Sequence, residues 1–197
     1  MSLLIKICGL RNVGDVAAAV AAGANAVGFV FAESVRRVTP AQARLACADL
    51  PSDIKRVAVM LHPAQKELYG ILEEFKPDVV QTDIEDFRDV LVPTYVEQWP
   101  VIREGNVPQK MPATFLYEGA KSGQGKTVDW KRAQALTHRG NMILAGGLSA
   151  ENVAEAISNV RPYGIDVSSG VESAPGIKDP QKINQFVSAA RAAEKNL

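Results

Sequence analysis

Residues 142–167 read MILAGGLSAENVAEAISNVRPYGIDV and contain two short, mostly apolar runs with a helical segment between them. The runs, at 142–145 and 164–167, lack the strict alternation of half-buried strands and are typical of parallel strands covered on both faces. A loop with two adjacent glycines, Gly146 and Gly147, follows the first run. The stretch therefore predicts one strand–helix–strand unit of a parallel sheet.

The same alternation continues along the whole chain and predicts eight strands. Eight strands with helices between them are typical of a (β/α)8 TIM barrel, and we expect a single small barrel domain over residues 1–197. A doubly wound open sheet uses the same alternation and remains an alternative at this point. The other six candidate strands are 4–8, 26–31, 56–61, 79–81, 101–103 and 114–117.

One connection does not fit the regular pattern. Residues 104–112, between the fifth and sixth strands, include Gly105, Pro108 and Pro112 and have no helical periodicity. A crossover between parallel strands normally needs about a dozen residues or more. We therefore expect the helix between strands five and six to be missing or reduced to a turn.

Composition and charge exclude several classes of protein. The 22 basic and 22 acidic residues balance, so no electrostatic footprint for nucleic acid is expected. The longest apolar stretch, 16–32, is mostly Ala and Gly and is too weakly hydrophobic for a membrane span. The N-terminus lacks the basic region of a secretory signal, so no such signal is expected. Two cysteines, Cys8 and Cys47, are expected as free thiols in a cytoplasmic protein.

Reactive residues of a barrel enzyme lie at the carboxyl ends of its strands. Cys8 stands beside Gly9 where the first strand ends, although a lone cysteine is more often a small buried apolar residue. Cys47 is expected only to pack. Loops after strands seven and eight commonly bind phosphate in barrels, and both loops contain glycines here. No zinc or nucleotide-hydrolysis motif is present, so no metal site is expected.

Five segments together resemble the phosphoribosylanthranilate isomerase family over essentially the whole chain. The resemblance implies a cofactor-free Amadori rearrangement in tryptophan biosynthesis, in which N-(5-phosphoribosyl)anthranilate becomes 1-(2-carboxyphenylamino)-1-deoxyribulose 5-phosphate. The segments are KICGL at 6–10, AGANAVGFVF at 22–31, SVRRVTP at 34–40, AGGLSAENV at 145–153 and DVSSGVESAPGIKD at 166–179.

The resemblance also assigns roles to residues of this chain. Cys8 matches the general base, which acts as a thiolate if its pKa is lowered. Arg36 matches the arginine near the anthranilate carboxylate, and Asp166 matches an acidic residue at the eighth strand. The residues that match the phosphate site are Gly146, Gly147, Ser169 and Gly170.

Two segments depart from the family pattern. The family usually has a VQLHG-like segment after the fourth strand, where this chain reads Val-Gln-Thr-Asp-Ile at 80–84, with Gln81 retained as a substrate-binding candidate. The family's general acid is an aspartate at the end of strand six, and Glu118 takes its place here. The loop after it, residues 119–126, looks shortened.

Three other functions remain open on the sequence. A diverged paralogue would act on another aminoribose or sugar phosphate, and a non-catalytic barrel would bind a phosphorylated metabolite for regulation. A Schiff-base aldolase has less support, because no lysine stands convincingly at a strand's carboxyl end. The expected partner of the chain is a phosphorylated small-molecule substrate, with neither nucleic acid nor membrane, and the chain is expected to be a monomer or a homodimer.

Overall fold

A computed structural model describes residues 2–119 and 127–195 of the chain. These residues form a closed barrel of eight strands in sequence order. All eight predicted strands are present, with shifts of a few residues at their ends. The strands are β1 Leu4–Cys8, β2 Ala26–Val30, β3 Lys55–Val59, β4 Val79–Asp83, β5 Glu97–Arg103, β6 Thr114–Glu118, β7 Asn141–Leu144 and β8 Gly164–Val167.

All eight strand pairs of the barrel are parallel, and the ring closes where β1 pairs with β8. Lys6 lies opposite Asp166 in that pair, while the other edge of β1 pairs with β2. An open doubly wound sheet would leave its outermost strands with an unpaired edge. The barrel prediction is therefore confirmed, and the open-sheet alternative is wrong.

Helices cover the outside of the barrel, and capping residues mark the starts of two of them. Thr39 caps the second helix with a complete capping box, and Asp179 caps the last helix before Pro180. A short hairpin of β9 Glu172–Ala174 and β10 Ile177–Lys178 precedes that helix. The helices are α1 Val13–Ala22, α2 Pro40–Ala46, α3 Gln65–Glu74, α4 Trp130–Gln134, α5 Val153–Val160 and α6 Pro180–Glu194.

The expected loss of the helix between β5 and β6 is confirmed, since residues 104–113 are all described and contain none. The sequence did not predict that the preceding connection is also reduced. It contains only the 3₁₀ helix Ile84–Arg88. The expectation of a shortened loop at 119–126 lies, apart from Gly119, outside the described residues.

The apolar core has two layers. A large layer fills the space between strands and helices, and a smaller one fills the barrel interior. Because side chains alternate along a strand, Leu4, Lys6 and Cys8 all point inward from β1. Leu4 belongs to the interior apolar layer. Lys6 and Cys8 come after it along β1 and therefore lie nearer the carboxyl end of the barrel. Within the described residues, no helix combines the length and the apolar character needed to cross a membrane.

Candidate active site at the carboxyl end of the barrel

The predicted site residues come together at one end of the barrel. Cys8, Glu118 and Asp166 lie on the last residues of β1 and β6 and near the end of β8, and Gln81 lies on β4. The others lie in loops that leave the same end. A surface cavity of about 1030 Å³ lies at the opposite end, around the starts of β3 to β5, and none of the predicted residues line it.

Cys8 is almost completely buried, with 6% of its surface exposed. Burial raises the pKa of the Cys8 thiol, and the nearby cations Lys6 and Lys178 oppose this shift without reversing it. The surroundings that the chain itself provides therefore favour the neutral thiol. This is the opposite of the lowered pKa that a resting thiolate requires, so a thiolate here depends on a further positive charge.

Lys6 and Asp166 form a buried ion pair next to Cys8. Nζ of Lys6 donates to Oδ1 of Asp166 at 2.7 Å, and the lysine side chain is fully buried. Burial alone lowers the pKa of Lys6, but the charge of Asp166 and its hydrogen bond with Lys6 raise it, and the net shift is upward. Lys6 therefore remains a cation beside the thiol.

Gly28 on β2 provides the space for these side chains inside the barrel. A Cβ at this position would lie 3.0 Å from Cε of Lys6 and 3.2 Å from Sγ of Cys8. These distances are shorter than ordinary van der Waals contacts. A residue with a side chain would therefore push Lys6 or Cys8 out of place.

Arg36, in the loop after β2, is held by Glu172 from the loop after β8. Nε and Nη2 of Arg36 donate to the two carboxylate oxygens at 2.7 and 2.8 Å, and Nζ of Lys178 donates to Oε1 at 2.7 Å. Burial alone would raise the pKa of Glu172, but the hydrogen bonds from Arg36 and Lys178 lower it to about 2. The Nη1 group of Arg36 is not used by Glu172.

The two glycine-bearing loops contact each other through their backbones. Gly146 and Gly147 have φ angles of 94° and 62°, in the left-handed region that favours glycine. A Cβ on Gly170 would lie 2.0 Å from the carbonyl oxygen of Leu148. Only glycine permits this approach, which brings the loop of Ser169 and Gly170 against the loop that follows Gly146 and Gly147.

Glu118 is ion-paired with Arg103, the last residue of β5. The same guanidinium binds Asp83 at the end of β4, with Nη2 at 2.6 Å and Nε at 3.1 Å from Oδ1. An ion pair with a guanidinium stabilises the ionised form of a carboxylate. Proton donation by Glu118 therefore requires this ion pair to weaken.

Gln81 is a buried polar residue of the barrel interior, 5% exposed and on the same face of β4 as the apolar Val79. Among the described residues, its Oε1 atom has no hydrogen-bond partner. Buried polar atoms are nearly always paired in native proteins. This acceptor is therefore suited to a hydrogen-bond donor on a bound molecule.

Sequence reasoning missed five residues of this site. The sequence marked three of them, because Lys6 interrupts an apolar strand, and Glu172 and Lys178 lie inside the segment 166–179. The role of the glycine and that of the arginine depend on neighbours that are distant in sequence. The five residues are Lys6, Gly28, Arg103, Glu172 and Lys178.

The closed barrel and the reactive side chains at the carboxyl ends of its strands define a (β/α)8-barrel enzyme. Residues 5–189 match the family described as N-(5'phosphoribosyl)anthranilate (PRA) isomerase. The chain belongs to this family of isomerases, and the predicted resemblance is confirmed.

Three similar proteins are covered along their entire length. The N-(5'-phosphoribosyl)anthranilate isomerase of Listeria welshimeri is 40% identical over 98% of this chain and 100% of its own. The crystal structure of phosphoribosyl anthranilate isomerase from Thermotoga maritima superimposes with a TM-score of 0.86 at 30% identity, over 97% of this chain and 100% of that one. A phosphoribosyl anthranilate isomerase in complex with reduced 1-(o-carboxyphenylamino)-1-deoxyribulose 5-phosphate has a TM-score of 0.83 at 30% identity, with the same coverage.

Proposed function

We propose that this chain isomerises N-(5-phosphoribosyl)anthranilate to 1-(2-carboxyphenylamino)-1-deoxyribulose 5-phosphate in tryptophan biosynthesis, without a cofactor. The observation that carries the proposal is the position of Cys8. It is a buried thiol at the carboxyl end of β1, beside the Lys6 cation and at the same end of the barrel as the two glycine-bearing loops. We further propose a cytoplasmic enzyme, monomeric or homodimeric, whose partner is the phosphorylated substrate.

The first chemical step is the opening of the ribose ring. The nitrogen lone pair forms a C=N bond while the bond between C1′ and the ring oxygen breaks, and Glu118 gives that oxygen a proton. The carboxyl group must be protonated for this step. A substrate that draws Arg103 away from Glu118 would favour protonation, because the ion pair stabilises the carboxylate.

The second step removes the C2′ proton from the protonated imine. Once the cationic imine has formed, the Cys8 thiol releases its proton to solvent. The thiolate then accepts the C2′ proton, the C–H electrons form a C1′=C2′ double bond, and the C=N electrons return to nitrogen. The resulting enol loses its hydroxyl proton and gains one at C1′, which yields the ketone. The cationic imine provides the additional positive charge that a buried thiolate needs, because opposite charges nearby favour ionisation.

The remaining candidates orient the substrate, which is the entropic part of catalysis. A guanidinium has two bidentate edges, and Glu172 occupies only the Nε and Nη2 edge of Arg36. The Nη1 side is suited to the anthranilate carboxylate. Gly146, Gly147, Ser169 and Gly170 would bind the phosphate. Asp166 and Gln81 would accept hydrogen bonds from ribose hydroxyls.

Turnover of N-(5-phosphoribosyl)anthranilate by the purified chain tests the proposal directly. Complementation of a tryptophan auxotroph that lacks this isomerase tests it in a cell. Turnover of a different aminoribose phosphate in place of this substrate would favour a paralogue. Binding of the reduced product analogue without any turnover would favour a regulatory barrel.

A further inference from the structure

Arg103 joins two carboxylates that come from the strands on either side of it. Its Nη2 and Nε atoms lie 2.6 and 3.1 Å from Oδ1 of Asp83, and its Nη1 atom donates to Glu118. The exposed fractions of the three side chains are 18%, 13% and 17%, so solvent and salt screen these contacts only weakly. The cluster is a shared ion pair rather than a surface contact.

Strand register places this cluster at the carboxyl end of the barrel. Arg103 lies directly opposite Glu118 in the β5–β6 pair, and Asp83 is opposite Val101, two residues earlier on β5. Two residues along a strand face the same side. Val101 belongs to the interior apolar layer, so all three charged side chains extend from inward-facing positions.

We propose that Arg103 is a positioning residue that divides its guanidinium between Asp83 and Glu118, and that this division controls when Glu118 holds a proton. The inference rests on the function proposed above, in which Glu118 is the acid. It assigns a role to Asp83, which stands in the segment that departs from the family pattern. The two departures, Asp83 and Glu118, thus form one physical unit.

Electrostatics gives Arg103 and Asp83 opposite effects on Glu118. The guanidinium stabilises the Glu118 carboxylate, whereas Asp83 competes for the guanidinium and adds negative charge nearby. Losing Arg103 therefore favours the protonated acid, and losing the charge of Asp83 favours the carboxylate. A role in folding alone would not produce shifts of opposite sign.

The charges of other groups near the cluster must be the same in the wild-type chain and in each variant. Glu104 donates its backbone N–H to the carbonyl of Glu118 at 2.8 Å. His62, on the loop after β3, feels the charges of Asp83 and Arg103, and its pKa is raised mainly by its hydrogen bond to Asp86. On the strands β1 and β8, the titratable groups are Lys6, Cys8 and Asp166.

The test is the pH dependence of kcat for the full chain and three variants, Arg103→Met, Asp83→Asn and the double variant. Because Glu118 must be protonated, kcat falls as the pH rises and Glu118 loses its proton. We call this falling part of the pH profile the Glu118 limb. We expect Arg103→Met to move that limb upward by about one to three pH units, the usual effect of losing an adjacent opposite charge. Asp83→Asn should move the limb downward, and its effect should shrink when Arg103 is already Met.

Arg103→Lys separates charge from geometry. It keeps the positive charge but lacks the planar fork that reaches two carboxylates. The limb should stay near the wild-type position while kcat falls. Arg56→Met is the matched control, since Arg56 forms a half-buried ion pair with Asp78 near the start of β3. It should lower the melting temperature and leave the limb unchanged.

A carbon-13 NMR titration of the Glu118 carboxyl group measures the same effect without turnover. The midpoint should rise in Arg103→Met and fall in Asp83→Asn. Unchanged midpoints, or shifts in the same direction, would overturn the inference even if the enzyme is fully active. Absence of wild-type turnover together with opposite midpoint shifts would instead reject the proposed function and retain the Arg103 assignment.

Discussion

Glu172 binds Arg36 through both of its carboxylate oxygens, at 2.7 and 2.8 Å, although the two residues are 136 positions apart. This contact connects the loop after β2 to the loop after β8. Lys178, whose side chain is fully buried, binds the same carboxylate and also donates to the Ser168 carbonyl at 2.8 Å. One carboxylate therefore holds both the proposed substrate arginine and the backbone that precedes Ser169.

Glu172→Gln should weaken substrate binding and stability together. Arg36 and a buried lysine would lose their charge partner, and breaking a buried pair costs about 3–5 kcal/mol. We expect KM to rise more than kcat falls, because the role proposed for Arg36 is to bind the substrate and not to react. Steady-state kinetics and urea unfolding measure both effects. Glu33→Gln is the control, since Glu33 forms an exposed pair with Arg37, worth about 0–1 kcal/mol.

The same variant has a predictable pH signature. The folded-state pKa of Glu172 is about 2, below its ordinary value of 4.5. A depressed pKa stabilises the fold above pH 4.5, and the stabilisation is lost as pH falls from there toward 2. Wild-type stability should decline more steeply than that of Glu172→Gln over this interval. Parallel declines would show that Glu172 does not titrate as the structure indicates.

Cys8→Ser should lower kcat by about 10²–10⁴-fold, the usual contribution of a general base. Serine keeps the approximate size of cysteine but cannot form an anion at neutral pH. Cys47 follows α2, and burial raises its pKa to about 12. Cys47→Ser should therefore leave kcat within a few-fold. Equal losses in the two variants would remove Cys8 from the base role.

Gly147→Val should weaken the binding of both product and inorganic phosphate. Valine at a φ of 62° is strained, and its side chain would stand where a phosphate must approach the backbone. Calorimetry on folded protein measures both affinities. Gly70→Val is the matched control, because a Cβ on Gly70 in α3 meets nothing within 4 Å. Unchanged phosphate affinity in Gly147→Val would show that these loops only form turns and do not bind phosphate.

Glu118→Gln should abolish most activity and the limb on which activity falls with rising pH. Glu118→Asp should also lose activity, because its carboxyl group withdraws by about 1.5 Å, the length of one C–C bond. Misplacement of about 1 Å can cost ~10²-fold in rate. The pH profile of kcat decides both cases. Higher isomerase activity in Glu118→Asp would favour the paralogue, and a fully active Glu118→Gln would move the acid role to Asp166 or Asp83.

The sequence predicted the barrel because the necessary signals are local. Continuous apolar runs and the helix-free segment 104–112 each act within about a dozen residues. The reduced β4–β5 connection was missed, since a short 3₁₀ helix has no sustained period. The positions of Cys8 and the two glycine loops at strand ends were predicted correctly, because they follow directly from the strand assignment.

Tertiary structure alone decided which charged residues meet at the carboxyl end of the barrel. Closure of the ring brings Lys6 against Asp166, and strand register brings Arg103 between Asp83 and Glu118. It also buries Cys8 and so raises the pKa of its thiol, which the sequence did not predict. Electrostatic effects depend on distance and burial. Residues that are far apart in the chain come close together and become buried only when the barrel closes. The sequence therefore determined the fold and the candidate positions, and the closed barrel determined the charge states of the residues there.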